Sequence, residues 1–211
     1  TGIGSNHSLH LDDVSPIDIF DVSVDDFVNE LTMIQQELFS RIEIGELLAR
    51  ADFPNKKDRY PRFTEFVNQF NQVSYRVNAI ILLQKSKNKR NKAFTLFIEV
   101  AIKLKEIGNF NGMYCIYSAL SSNSFNQLGP WGAKNKNFMN EIETLISPNC
   151  NYKIYREHIS TWKGPYLPWF GAITQQLISI SEMAKREKQS QTQKRTHHNL
   201  GKTLFVSKIG W

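Results

Sequence analysis

Cysteine is scarce in this sequence of 211 residues, which contains only Cys115 and Cys150. Neither has a second cysteine or a histidine at metal-ligand spacing, so neither a disulfide framework nor a zinc site is indicated. Cys115 lies inside an apolar run and is expected to be a small core residue rather than a nucleophile. These features fit a reducing compartment, and we expect no metal and no cofactor.

Long apolar runs are also missing. The longest, such as NAIILLQ, are far shorter than the roughly 18 residues that a membrane-spanning helix needs. The N-terminal stretch TGIGSNHS has neither an apolar signal core nor a starting methionine. We therefore expect a soluble, cytoplasmic domain cut from a longer chain, with any recruitment to membrane surfaces coming from flanking segments.

The motifs of covalent catalysis are absent. The sequence contains no GxSxG, HExxH, GxxxxGK[ST] or CxxC pattern. His197 and His198 lie in a basic polar tract, where a solvent-exposed pair is the expected arrangement. We therefore do not expect an enzyme that makes or breaks covalent bonds.

Charge is unevenly distributed along the chain, whose formal net charge is +6. Residues 12 to 52 carry 11 acidic residues against two arginines, whereas residues 183 to 208 carry seven basic residues against one glutamate. The basic tract lacks interleaved aromatic residues and is typical of a solvated loop or a frayed helix end. Phosphate binding is the alternative, and a nucleic-acid binder would show an affinity that falls steeply with salt.

Helical patterns recur from end to end of the sequence. Ser23 is a candidate N-cap for the amphipathic segment SVDDFVNELTMIQQELFSRI, and Gly108 is placed to end the segment KAFTLFIEVAIKLKEIG. FNGMYCIYSAL is apolar on most faces and predicts a short buried helix. No series of strands and no internal repeat is recognisable, so the sequence predicts an all-α, single-domain bundle of about seven to nine helices.

The segment GPYLPWFGAITQQLISISEMA predicts a helix after Pro168, with two kinds of apolar position. One apolar stripe recurs at three-and-four spacing and comprises Phe170, Ile173, Leu177, Ile180 and Ala184. Ile178 and Glu182 are one turn apart on a different face, turned roughly 130 to 170° from the centre of that stripe. An outward isoleucine is ordinary on its own, because much protein surface is apolar.

Three ordered blocks resemble the catalytic domain of Ras guanine-nucleotide exchange factors (RasGEFs). The central block is FNQVSYRVNAIILLQKSKNKRNKAFTLFIEVAIKLKEIGNFNGMYCIYSAL, with its FNQVS opening and its NFNGM turn. FDVSVDDFVNELTMIQQELFSRIEIGELL resembles the opening helix of that family, and NYKIYREHI followed by GPYLPWFGAITQQL resembles its later segments. The resemblance covers roughly residues 16 to 184. The later segment HHNLGKTLFVSKI resembles the family more weakly.

The resemblance implies an all-α helical bundle with a protruding helical hairpin, whose first helix begins here near Trp169. In this family that helix inserts between the phosphate-binding loop and the switch regions of a Ras-family small GTPase. Ile178 matches the apolar residue that occludes the magnesium site, and Glu182 matches the carboxylate that occupies the α-phosphate region. The implied function is GDP release, with tightest binding to the nucleotide-free GTPase and without covalent chemistry.

The resemblance further implies that four residues contact the GTPase, namely Tyr152, Arg90, Gln175 and Ser121. Tyr152 also has an ordinary interpretation as half-buried core beside Tyr155, and Arg90 one as a solvated charge in KSKNKRNK. Asn71 and Asn111 are expected to be structural, tying turns and helix starts together.

The chain departs from the family pattern at two positions, since Ser121 stands where the family usually has Asn and Gln127 where it usually has Arg. These departures favour an alternative, a non-catalytic domain that binds a small GTPase without stimulating exchange. We expect residues 1–15 to be a flexible segment and residues 16–211 to form the RasGEF-like domain. The family commonly continues through a further helix after the position of Trp211.

Overall fold

A computed structural model of the protein describes residues 18–122, 125 and 132–208, and side chains up to residue 189 with residue 134 excepted. Residues 1–15, expected to be flexible, and Gln127 lie outside the described part of the chain. Within it, the elements are eight α-helices and two short 3₁₀ helices, Ile19–Asp21 and Lys57–Arg59, with no strand. Their bounds are Val24–Ser40 (α1), Ile44–Asp52 (α2), Pro61–Leu82 (α3), Lys87–Glu106 (α4), Phe110–Leu120 (α5), Ala133–Leu145 (α6), Lys153–Thr161 (α7) and Phe170–Lys208 (α8).

The all-α prediction is confirmed, together with two of its local signals. The Ser23 hydroxyl accepts a hydrogen bond of 3.5 Å from the Asp26 amide and caps the start of α1. Gly108 has a φ of +80°, in the left-handed region that favours glycine, at the end of α4. An added Cβ there would lie 2.7 Å from the Pro165 carbonyl oxygen. The chain can therefore turn tightly from α4 into α5.

The main core surrounds α4 and α5. Each of these two helices buries most of its apolar residues, and α1, α3, α6 and α7 pack around them. Residues such as Phe97, Leu104 and Ile116 are fully buried. The sequence prediction that FNGMYCIYSAL forms a short buried helix is confirmed, because apolar residues occupy most of its faces.

A second, smaller aromatic cluster anchors the start of α8 to the bundle. The ring centroid of Phe170 lies 5.4 Å from that of Phe63, 5.0 Å from that of Phe66 and 5.5 Å from that of Phe39. Aromatic pairs at these separations add favourable edge contacts to the burial of apolar area. The first turn of α8 is therefore fixed by α1 and α3.

Trp169, the residue before α8, is also held in place by its neighbours. Trp169 is buried, and its backbone N–H donates a hydrogen bond of 2.7 Å to the Tyr155 hydroxyl. Its ring lies 4.3 Å from that of Tyr114 and 4.9 Å from that of Tyr152. Residues of α5 and α7 thus hold the residue that precedes α8.

The structure differs from the predicted hairpin, because α8 is one helix from Phe170 to Lys208 rather than two antiparallel helices. Nothing in the local sequence ends it, since AKREKQSQTQKRTHHNL contains neither proline nor glycine. The segment also has few apolar residues that could pack a second helix against the first. Residues 197–208, which carry most of the weaker resemblance, therefore belong to this same helix.

The predicted apolar stripe of α8 is correct only for its first half. Phe170 is buried and Ile173 packs against the aromatic cluster, whereas Ile180 is 62% exposed. Ala184 is exposed as well. At this level α8 meets the end of α2 through Ser181 and Lys185, which both contact Asp52. Ile180 and Ala184 therefore lie beside this contact rather than within it.

Candidate functional site

A groove of about 530 Å³ opens between the α2–α3 connection, α3, α5 and the first two turns of α8. It is the site best suited to receive part of another molecule, because its floor is aromatic and its rim polar. The floor comprises Tyr60, Phe63, Phe66, Phe70, Trp169 and Phe170. Part of each aromatic group that anchors α8, notably Phe170 and Trp169, therefore also lines the groove.

The electrostatic character of the groove is cationic. Arg50 and Lys57 line it, and its lining residues include no aspartate or glutamate. Its remaining polar lining consists of amides and hydroxyls from α3, α5 and α8. Such a surface favours a partner that presents oxygen acceptors or negative charge together with an apolar anchor.

Two of the predicted site residues on α8 lie in this groove. Gln175 and Ile178 both line it, Gln175 exposed and Ile178 half-buried. Glu182 follows Ile178 by one turn on the same face and is exposed. The pair therefore extends from the groove along α8, with Ile178 in the groove lining and Glu182 one turn further on.

Tyr152 lies at the side of the groove wall rather than in its lining. Its ring meets that of Trp169 edge to face, and its backbone has a φ of +56°, unusual for a residue other than glycine. The side chain is half-buried against the main core. This position agrees with the core interpretation, while contact of Tyr152 with a GTPase stays a prediction.

Arg90 and Ser121 are not brought to the groove. The Arg90 guanidinium donates a hydrogen bond of 2.8 Å to the Gln84 carbonyl and so closes the turn between α3 and α4. It is therefore not the freely solvated charge of the ordinary interpretation. Ser121 is exposed at the end of α5, and its hydroxyl donates to the Ser118 carbonyl at 3.3 Å. Their proposed contacts with a GTPase stay predictions.

Asn71 and Asn111, expected to be structural, both line the groove. Asn71 is exposed, whereas Asn111 is only 1% exposed at the start of α5. The structural tie at this turn is made instead by Asn109, whose side-chain oxygen accepts a hydrogen bond of 2.7 Å from the Gly112 amide. The expectation attached to Asn111 thus belongs to its neighbour two residues earlier.

Other lining residues were missed by sequence reasoning, notably Arg50, Asn68 and Tyr114. Arg50 stands in an acidic stretch whose composition indicates net charge but no site. Asn68 is one of many polar residues on α3. The sequence indicates only that Asn68 is exposed, because it lies off the apolar face of α3. No local signal marks Arg50, which reaches the groove only through the packing of α2 against α8.

The prediction that Cys115 is a core residue is confirmed. The thiol is fully buried and donates to the Phe70 carbonyl oxygen at 3.1 Å. Burial raises the pKa of Cys115 to about 12, so the thiol stays protonated at neutral pH. It therefore lacks the thiolate that nucleophilic chemistry requires.

Metal-ligand clusters and membrane-spanning helices are both absent from the described residues. No group of three or more histidine, cysteine, aspartate or glutamate side chains in this part of the chain is arranged to hold a metal ion. No helix there is long and apolar enough to cross a membrane.

Comparison with known proteins identifies the family. A model of the RasGEF domain matches residues 26–203, and the chain therefore belongs to the RasGEF domain family. It is 33% identical over 165 residues to human (Homo sapiens) Rap guanine nucleotide exchange factor 1, a match that covers 78% of this chain and 15% of that protein.

Two further relatives show the same pattern. Ras guanine nucleotide exchange factor S of Dictyostelium discoideum is 29% identical over 175 residues, covering 80% of this chain and 17% of the relative. Guanine nucleotide-releasing factor 2 of Drosophila melanogaster is 27% identical over 165 residues, covering 77% of this chain and 10% of the relative. The matches thus span less than a fifth of the length of these relatives.

Proposed function

We propose that this domain is a guanine-nucleotide exchange factor for a Ras-family small GTPase, acting over residues 16–211. The observation that carries the proposal is the match of residues 26–203 to the RasGEF domain, together with relatives named for guanine-nucleotide exchange on Ras or Rap. The aromatic groove beside Ile178 supports it, because a GTPase segment with an apolar anchor would bury that surface.

Ile178 and Glu182 open the nucleotide site in this mechanism. A GTPase holds its nucleotide through magnesium and through donors that favour negative charge, among them backbone N–H groups and a lysine. The Glu182 carboxylate would satisfy those donors once the phosphates leave. The Ile178 side chain would remove the oxygen ligands of the magnesium ion without offering new ones, since Mg²⁺ demands oxygen ligands in near-octahedral geometry.

The acceleration of nucleotide release follows from thermodynamic linkage between two binding equilibria rather than from making or breaking covalent bonds. The domain binds the nucleotide-free GTPase more tightly than the loaded form, so that nucleotide and domain weaken each other's binding by the same factor. No covalent step is involved, and the domain is therefore not an enzyme in the bond-making sense. Action in the cytoplasm, with recruitment to membranes through flanking segments, completes the proposal.

The proposal does not depend on a helical hairpin. Both residues lie in the first half of α8, whose base is fixed by Phe170 and Trp169. A helix that is fixed at its base, and tied to α2 again through Ser181 and Lys185, can present its exposed face to a partner while the bundle stays rigid. The insertion of α8, rather than of a two-helix hairpin, is thus sufficient for the chemistry.

Release of a fluorescent guanine nucleotide from a panel of Ras-family GTPases tests the function. We expect acceleration by the wild-type domain on at least one member and strong loss of acceleration in Glu182→Ala and Ile178→Ala. Neither substitution removes a core contact, so both variants should keep the wild-type circular dichroism and melting temperature. Glu187→Ala, on the same helix, is a matched control. Equal acceleration by all four proteins would overturn the assigned roles.

A non-catalytic GTPase-binding domain is the second candidate. The observation that favours it is Ser121, whose hydroxyl donates to the Ser118 carbonyl oxygen and which does not line the groove. A domain that binds the nucleotide-free GTPase but leaves nucleotide release unchanged would establish this alternative.

A further inference from the structure

Arg50, a half-buried residue in the lining of the groove, has one guanidinium nitrogen without a hydrogen-bond partner in the described part of the chain. It stands in the last turn of α2 and lines the groove together with Gln175 and Ile178. Its Nη1 is inaccessible to solvent and has no hydrogen-bond partner within the described residues. Burying a guanidinium nitrogen without a partner is unfavourable, because the lost hydration is not replaced. A ligand that supplies an acceptor would remove this penalty.

A second donor in the same groove is unsatisfied as well. Asn111 is 1% exposed, and its Nδ2 has no partner in the described part of the protein. It stands in the first turn of α5, a different wall of the groove from that of Arg50. Two buried donors on separate helices, lining one groove that contains no carboxylate, point to a partner that brings oxygen acceptors.

The carboxylates of α2 do not serve Arg50. Glu46 accepts a hydrogen bond of 2.8 Å from the Phe63 amide and lies 4.0 Å from the Arg62 guanidinium. Asp52 accepts from the Ser181 hydroxyl at 2.7 Å and lies 3.1 Å from the Lys185 ammonium group. Both acids close to Arg50 in sequence are thus engaged elsewhere, and the charge of the groove stays uncompensated on this side.

We infer that Arg50 is a specificity-determining residue, which receives an aspartate or glutamate side chain of the GTPase segment that enters the groove. Asn111 donates to an oxygen of the same segment, and the aromatic floor takes its apolar anchor. This inference rests on the proposed function and deepens it by stating the chemistry of the partner. Arginine suits the task because its planar fork binds a carboxylate through two parallel hydrogen bonds.

The test combines substitutions in both proteins. Arg50→Glu should lower kcat/KM for nucleotide release roughly 30-fold or more, since the loss of a desolvated interfacial charge pair is strongly unfavourable. Arg50→Lys keeps the charge without the fork and should fall between wild type and Arg50→Glu. Lys56→Glu is the matched control, because this exposed residue reverses the same charge nearby without lining the groove, and it should stay within about twofold of wild type.

Charge reversal on the GTPase identifies the partner residue. Each surface aspartate and glutamate near its nucleotide site is changed to lysine in turn. We expect one change that impairs exchange by the wild-type domain and restores exchange by Arg50→Glu at least about tenfold, as for directly paired charges. Equal activity of Arg50→Glu and Lys56→Glu, or the absence of any restoring change, overturns the inference.

Failure of the inference is distinguishable from failure of the proposed function. Unfolding by urea shows whether Arg50→Glu is folded, and Glu182→Ala reports on exchange independently of Arg50. A wild-type domain that binds the nucleotide-free GTPase without accelerating release refutes exchange, while the ratio of the Kd values for Arg50→Glu and Lys56→Glu still decides the role of Arg50. If the wild-type domain neither binds nor accelerates any member, both conclusions fall.

Discussion

The Ser181 hydroxyl donates a hydrogen bond of 2.7 Å to Oδ1 of Asp52 and thereby ties α8 to the last residue of α2. Lys185 stands one turn further along α8, with its ammonium group 3.1 Å from the same oxygen. The hydrogen bond from Ser181, followed by that from Lys185, lowers the pKa of Asp52. This contact flanks Glu182 and fixes the direction in which α8 leaves the bundle.

Asp52→Ala should therefore reduce exchange by loosening α8 rather than by unfolding the domain. We expect faster amide hydrogen exchange in the segment 175–185, a lower rate of nucleotide release and little change in melting temperature, since the contact is exposed. Asp58→Ala, an exposed acid in the neighbouring connection, is the control. Because the pKa of Asp52 is lowered in the folded state, its stabilising contact with α8 is present at neutral pH. The contact is lost only as the pH falls below 3.8, the ordinary pKa of an aspartate. Unchanged amide exchange in Asp52→Ala would refute the positioning role.

The magnesium dependence of nucleotide release should distinguish the role of Ile178 from that of Glu182. If Ile178 acts by displacing the ion, Ile178→Ala should slow nucleotide release strongly in millimolar magnesium and much less after chelation with EDTA. Glu182→Ala should remain impaired in both conditions, because its proposed contacts are with phosphate-binding donors rather than with the ion. Release rates from the same GTPase under the two conditions give the comparison. An equal magnesium dependence in both variants would contradict the assignment.

Gly171 is required by the close approach of Trp169. A Cβ at this position would lie 2.8 Å from three atoms of the indole ring, closer than packed atoms tolerate. Gly171→Ala should therefore displace the ring and lower the free energy of unfolding by about 1–3 kcal/mol, although alanine is the better helix former. Urea unfolding followed by tryptophan fluorescence measures this. Gly45→Ala, where a Cβ meets nothing within 4 Å, is the control. A neutral or stabilising Gly171→Ala would show that the ring adjusts freely.

His158 should make stability depend on pH in the mildly acidic range. Burial, followed by the nearby Lys105 charge, lowers the pKa of His158, and Glu141 opposes this only in part. The unfolded state therefore binds a proton that the folded state resists, so stability is highest above about 6.5 and is lost as the pH falls below that value. Urea unfolding between pH 7.5 and 5 at about 25 °C should show this loss.

The matched variant for His158 is His158→Gln, which keeps a polar side chain without a titration near neutrality. Its stability should change less between pH 7.5 and 5 than that of the wild type. The other histidines of the chain are present in both proteins, so the difference between the two pH profiles belongs to His158. Identical profiles would refute its contribution.

Much of the helical architecture was predictable because its signals are local. The N-cap at Ser23 and the helix end at Gly108 depend on a few neighbouring residues, and both are found. Periodicity was misleading at Ile180, because the pattern of one helix cannot tell which of its faces meets a neighbour: here Ser181 and Lys185, not Ile180, contact the end of α2. The predicted hairpin differs from the structure for a related reason. It was implied by the family resemblance, whereas the residues of this segment continue one helix.

The sequence by itself determined the all-α class and the buried helix around Cys115, and through its likeness to a family it predicted Ile178 and Glu182 as a functional pair on α8. The groove was decided only by the tertiary structure. Arg50, Asn111 and Gln175 are far apart in the chain and meet because α2, α5 and α8 pack around one aromatic floor. Helical periodicity reports which face of each helix is apolar, but the sum of many weak packing contacts fixes which faces meet.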